Sequence, residues 1–143
     1  MRRSLAVLGL LAAAVCAAGC PSEPPPPCIS SAHKIDESCK PGYVPTFANV
    51  YKNTIMGTCG SDNGCHNHVT KAGGLDMSTQ DLAYSGLLQP GQRRVVPFDP
   101  SCSEMIVRTN SPGEDYQMPP NGDPLSVEER CALIQWVLMG AQQ

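Results

Sequence analysis

The stretch Cys59-Gly-Ser-Asp-Asn-Gly-Cys65-His66 gathers two thiols and an imidazole into one short, turn-forming segment. A histidine directly after a cysteine suits one chemistry in particular: two thiols add across the vinyl groups of a porphyrin, and the next histidine lies beneath the iron as proximal ligand, giving haem c. The usual motif leaves a pair of residues between the thiols, whereas five stand between Cys59 and Cys65. Gly60 and Gly64 allow the extra residues to bulge outward while both sulfurs still reach the ring. A second donor stands far along the chain at Met118, in Gln117-Met118-Pro119-Pro120. A thioether is a soft ligand for ferrous iron, and a methionine opposite a histidine raises the reduction potential. The two prolines, with fixed φ and no N–H, would make a stiff loop that holds the sulfur without helical hydrogen bonds.

The same residues allow other uses. Cys59, Cys65, His66 and His68 are the donor types of a tetrahedral zinc or copper site, but thiols crowded into one loop oxidise in an extracytoplasmic compartment. His68 is then a solvated loop residue, and so is His33 in the proline-bounded N-terminal region. Met118 without iron would be a methionine packed in a loop.

The other cysteines read as structural. The chain has eight cysteines in 143 residues and only 5% aromatic residues, so a small core gains much from staples or a bulky cofactor. Cys28 and Cys39 close a short loop most simply with each other. Cys102 opens a short helix and Cys131 lies on the inward face of the last, so a bridge between them would close a loop of about 29 residues, on the order of 3 to 4 kcal/mol in the chain-entropy model. Counting does not choose between two disulfides with two thioethers and three disulfides with Cys59 paired to Cys65.

Residues 1–19 read as a secretory leader, with Arg2 and Arg3 ahead of an apolar run from Leu5 to Val15 that is too short to span a bilayer. Ala17-Ala18-Gly19-Cys20 resembles the lipobox of bacterial lipoproteins, with Ala17 where leucine is usual, which implies cleavage before Cys20 and lipid on its sulfur. Ordinary cleavage at the nearby Ala-x-Ala sites would give a soluble secreted protein instead. Residues 20–44 form a lipidated, Pro-rich linker in which Pro21 to Pro27 is an extended spacer. Loss of Arg2 and Arg3 lowers the basic count from 10 to 8 against 13 acidic residues, a formal charge of about −5, which disfavours nucleic acid as a partner.

The elements that must hold these ligands are helical. Phe47, Val50, Tyr51 and Ile55 recur at helical spacing, and Gly57 supplies a break before Cys59. Ser78 or Thr79 caps a second helix to about Leu88, and Asp99-Pro100-Ser101 introduces a short one through Thr109. Ser126-x-x-Glu129 is a capping box for the last helix, where Val127, Cys131, Ile134 and Leu138 mark one face, Leu133, Trp136 and Val137 broaden it, and Gly140 ends it. Residues 45–143 are thus one domain. No segment carries a clear strand period.

From about Val44 to Ala141 the chain resembles the small cytochrome c-like domains of planctomycete and myxobacterial lipoproteins and enzymes. The likeness lies in the helix before Cys59, in Cys65-His66, in Gly73-Gly74-Leu75-Asp76-Met77, and in Val95-Val96-Pro97 with Asp99-Pro100 and Ser103. It continues through Met118-Pro119-Pro120, Leu125-Ser126 and the run from Trp136 to Ala141. Phe98 stands where glycine is expected. The resemblance implies an all-α, class I cytochrome c-like domain with long loops, stapled by disulfides, with its first and last helices packed together. It further implies one haem c held by Cys59 and Cys65, with His66 and Met118 as axial ligands, and Arg93 and Arg94 are candidates to pair with its carboxylates. The implied work is electron transfer with an envelope redox protein from a lipid anchor, in the periplasm or on the outer membrane, since no base, nucleophile or substrate pocket is evident. The alternative is a non-haem, disulfide-stabilised surface lipoprotein of the same shape with a structural or interaction role.

Overall fold

The computed structural model describes Cys28 and residues 35–120 and 122–143. The leader, Cys20, most of the Pro-rich linker and His33 lie outside the described residues. Thr46 starts the first helix, its hydroxyl accepting the Asn49 N–H at 3.4 Å. From there α1 (Phe47–Val50) runs without a break into a π-helical stretch (Tyr51–Ile55) and then α2 (Met56–Thr58). Gly57 therefore does not end this rod. It sits within α2, and Cys59 forms its C-cap. The wider π turn shifts the facing of the next helical turn, and Thr54 and Cys59 both reach the cavity that His66 lines.

After a 3-10 turn at Ala72–Gly74, α3 (Gln80–Leu87) begins at Thr79, whose hydroxyl accepts the Leu82 N–H at 3.3 Å, with Asp81 in the first turn favouring the positive helix end. A second 3-10 turn (Pro100–Cys102), capped by Asp99, leads into α4 (Glu104–Thr109). The last helix, α5 (Val127–Leu138), has both halves of its capping box, Glu129 N–H to Ser126 Oγ at 3.2 Å and Ser126 N–H to Glu129 Oε2 at 2.9 Å. It closes on Gly140 at φ 91°. The chain is helical with long loops, and there is no strand among the described residues.

The core forms where α1 packs on α5, with Phe47 between Tyr84 and Trp136, each ring centroid 5.0 Å away. Val50, Ile55, Leu87, Ile106, Leu133 and Val137 complete it. The buried face of α5 centres on Leu133, Trp136 and Val137 together with Cys131 and Ile134, whereas Val127 is 63% exposed, because the capped first turn projects past the core.

The disulfides use the four expected cysteines in a different pairing. Cys28 is bonded to Cys102 and Cys39 to Cys131. The reason is the path of the N-terminal segment, which lies along α5 with Gln135 Nε2 donating to the Glu37 carbonyl at 2.7 Å. Cys39 thereby faces Cys131, and each bridge spans 74 or 92 positions of chain instead of closing a local loop. No Cys59–Cys65 bridge exists: Cys59 is a free thiol, while Cys65 is disulfide-bonded.

Candidate functional site

The loop after α2 is built by backbone bonds that leave little freedom to His66. Cys59 and Gly60 both donate to the Ile55 carbonyl, and the His66 N–H returns to the Cys59 carbonyl at 3.1 Å, closing the five-residue excursion. Gly60 and Gly64 are required within it. A Cβ on Gly60 would overlap the Met77 carbonyl, and one on Gly64 the Cys59 carbonyl. Asn67, 5% exposed, is the hub: its Nδ2 donates to Asp62 and Gly64 carbonyls at 2.8 Å, and its Oδ1 accepts from Val69 and Thr70 N–H. Met77 N–H to His66 O at 2.6 Å fastens the loop's far end.

His66 is thus held on both sides of its peptide unit, and its ring is held as well. Nδ1 lies 3.0 Å from the Ala72 carbonyl, which can only accept, so Nδ1 carries the proton and Nε2 keeps its lone pair. Burial lowers the pKa of His66 below the usual imidazole value, outweighing the Ala72 and Leu75 backbone carbonyls that favour the charged ring, and the Arg108 and Arg94 charges add to the lowering. The ring is a neutral, oriented nitrogen donor.

A cavity of about 270 Å³, partly open to solvent, lies against this ring. Cys59, His66 and Met118 are all on its wall, and Leu75, Leu87, Leu125 and Leu133 make it apolar. Burial pushes the Cys59 thiol up to about 11, so it stays protonated at neutral pH and is a poor nucleophile there. Met118 enters from the loop after α4, its N–H donating to the Arg108 carbonyl at 3.0 Å, and the Met118–Pro119 bond is cis. Met77 and Met105 also line the cavity. Met77 is bonded through its backbone to His66 and so belongs to the histidine wall, whereas Met118 comes from the separate loop after α4.

Two arginines border the cavity. Arg94 donates to the Gly73 carbonyl at 2.8 Å and to Gly86 and Gln89, tying the histidine loop to α3. Arg108 pairs with Glu104 at 2.8 Å and donates to the Tyr116 carbonyl at 3.2 Å. Arg93 is exposed and not on this wall; it donates to the Cys102 carbonyl at 3.0 Å. Cys65 is likewise not on the wall, and its sulfur is engaged in a disulfide. The zinc arrangement finds no support: His68 is exposed, and no group of three metal-ligating side chains exists among the described residues. Sequence reading missed Arg108 and Asn67. Asn67 offered one signal, since asparagine in a glycine-rich loop commonly bonds the backbone two or three residues on.

Residues 63–122 match the family described as Planctomycete cytochrome C. The match covers 60 of the chain's 143 residues and supports a cytochrome c-like domain there. No curated protein and no solved structure matches. The matched segment takes in Cys65, His66, both cavity arginines and Met118, and begins beyond Cys59, so the long spacing falls at its edge. Phe98, where the resemblance leads one to expect glycine, has a backbone that glycine would adopt without strain. Its φ is 67°, the left-handed conformation glycine adopts freely, and its ring, 70% exposed, lies over Gly140.

The residues present fit a haem. An imidazole whose Nε2 keeps its lone pair, a thioether on a second loop, apolar walls and two arginine side chains surround one cavity. Covalent attachment through two sulfurs does not fit the same way, because only Cys59 is a free thiol at the wall.

Proposed function

We propose that the protein is an electron carrier of the bacterial envelope, binding one c-type haem with His66 and Met118 as axial ligands. The observation that carries this reading is that His66 and Met118, on two loops distant in sequence, line one apolar cavity. When bound, haem would supply one-electron exchange at its iron. The chain's own residues do the rest. The Ala72 carbonyl orients the imidazole, the apolar walls at Leu75, Leu87, Leu125 and Leu133 limit water at the site, and Arg94 offsets carboxylate charge. Cys59, a free thiol on the wall, would be the residue to hold haem covalently, by addition of its S–H across a vinyl double bond, which needs no oxidant. The partner is another envelope redox protein, and a lipid on Cys20 with the Pro-rich spacer keeps the domain near a membrane. Among the described residues no helix is long and apolar enough to cross one.

The test is expression with the leader in a host that matures c-type cytochromes, then the visible spectrum and intact mass of the purified protein. The expected result is a Soret band with haem mass retained after denaturation. Absence of both rejects the reading and leaves the disulfide-stabilised interaction module. Met118→Ala should then lower the reduction potential, while Met77→Leu and Met105→Leu leave it close to the starting value; an unchanged potential in Met118→Ala removes that sulfur from the iron.

A further inference from the structure

Arg108 touches the Met118 loop through both its backbone and its side chain. Its carbonyl accepts the Met118 N–H at 3.0 Å, and its NH1 donates to the carbonyl of Tyr116, two residues earlier, at 3.2 Å. The guanidinium is aimed by Glu104, whose Oε1 takes the Nε proton at 2.8 Å, and the Arg108 side chain is only 15% exposed. Nε on a carboxylate and NH1 on a carbonyl is a fork that a planar guanidinium spans and a lysine ammonium does not. The bonds made by Gln117, beside Met118, stay inside the loop: its Oε1 accepts the Gly113 N–H, and its Nε2 donates to the Pro119 and Gly122 carbonyls. They shape the loop but do not fix it to the cavity.

We propose that Arg108 is a positioning residue for the sulfur ligand: the Glu104–Arg108–Tyr116 chain locks the Met118 loop at the cavity and sets how firmly the thioether resists displacement. This rests on the haem ligation proposed under the function. Hydrogen bonds to charged groups in partly buried sites are among the stronger ones in proteins. Losing the side-chain link while the backbone bond remains should therefore loosen the sulfur without abolishing its site.

The experiment titrates imidazole into the ferric holoprotein, where imidazole must displace Met118 to bind. The variants are Arg108→Ala, Arg108→Lys and Met118→Ala. Arg108→Ala should bind imidazole about tenfold more tightly than the starting protein and show a weakened thioether-to-iron absorption band. Arg108→Lys should fall between, because an ammonium replaces at most one of the two donations, and Met118→Ala should bind most tightly. Starting affinity and an unchanged band in Arg108→Ala overturn the proposal. If that variant does not retain haem, Arg108→Lys decides: an intermediate affinity supports the proposal and a starting value overturns it. Equal affinities in the starting protein and Met118→Ala would show that the sulfur is not a ligand, so this proposal and the ligation reading fall together. A Met118→Ala effect without an Arg108 effect defeats the positioning role alone.

Discussion

His66 shows how single atoms decide what the site can do. Its N–H, its carbonyl and its ring Nδ1 are all bonded to backbone, so the only lone pair left for chemistry is on Nε2. Burial with two nearby arginines disfavours the imidazolium, and the consequence for stability has a definite sign. Above the ordinary imidazole pKa, about 6.5, the ring is neutral in both folded and unfolded chains and nothing is lost. As pH falls below that value the unfolded chain takes up the proton first, so the folded state loses stability until its own lowered pKa is reached. In the haem-free protein the melting temperature should therefore drop as pH falls below about 6.5, and in His66→Gln this part of the slope should flatten. Equal slopes in the two proteins, measured by calorimetry, would show that the ring titrates as though solvated.

At the scale of elements, the stretch from α2 to Met77 places the histidine, and its glycines are not equivalent. Gly60 has the Met77 backbone where a Cβ would go, and Gly64 has that of Cys59. Neither neighbour is a flexible side-chain tip that could move aside. Gly60→Ala and Gly64→Ala should each cost about 1 to 3 kcal/mol, the range for overpacking a close contact. Gly57 is the internal control, since nothing lies within 4 Å of its Cβ position and it sits inside α2. Gly57→Ala should stabilise by about 0.5 to 1 kcal/mol, the helix-propensity gain. Urea unfolding of the three variants checks the ordering; a loss in Gly57→Ala equal to that in Gly64→Ala would contradict it. These contrasts also mark how far sequence reading reaches. The caps at Thr79 and Ser126 and the element beginning at Asp99 were legible, because a cap is a local event between a side chain and an amide three residues on. The continuation past Gly57 was not, because a lone glycine inside a rod is tolerated when packing at Val50 and Ile55 holds the turns before it. Met118 was legible from its prolines. The grip of Arg108 on its loop was not, since that bond depends on how α4 is turned toward Tyr116.

For the whole molecule, the Cys28–Cys102 and Cys39–Cys131 bridges decide how the N-terminal segment relates to the domain, and here local reasoning failed for a physical reason. Cys28 and Cys39 are near neighbours in sequence, but the segment bearing Cys39 runs along α5 and is bonded to Gln135, so each cysteine meets a partner across the fold. Long closed loops remove more freedom from the unfolded chain than short ones. Each bridge is expected to contribute on the order of 4 to 5 kcal/mol in the chain-entropy model, against about 3 to 4 for a bridge closing some 29 residues. Paired replacement should separate the two arrangements. Cys28→Ser with Cys102→Ser, and Cys39→Ser with Cys131→Ser, should each leave the other bridge intact and lower stability once. Cys28→Ser with Cys39→Ser should break both bridges and destabilise by clearly more than either pair, leaving two free thiols at Cys102 and Cys131. Thiol titration and thermal unfolding of the three double variants give the answer directly. If Cys28→Ser with Cys39→Ser instead retained a bonded Cys102 and Cys131, the N-terminal segment would not be stapled to the Pro100–Cys102 turn and α5.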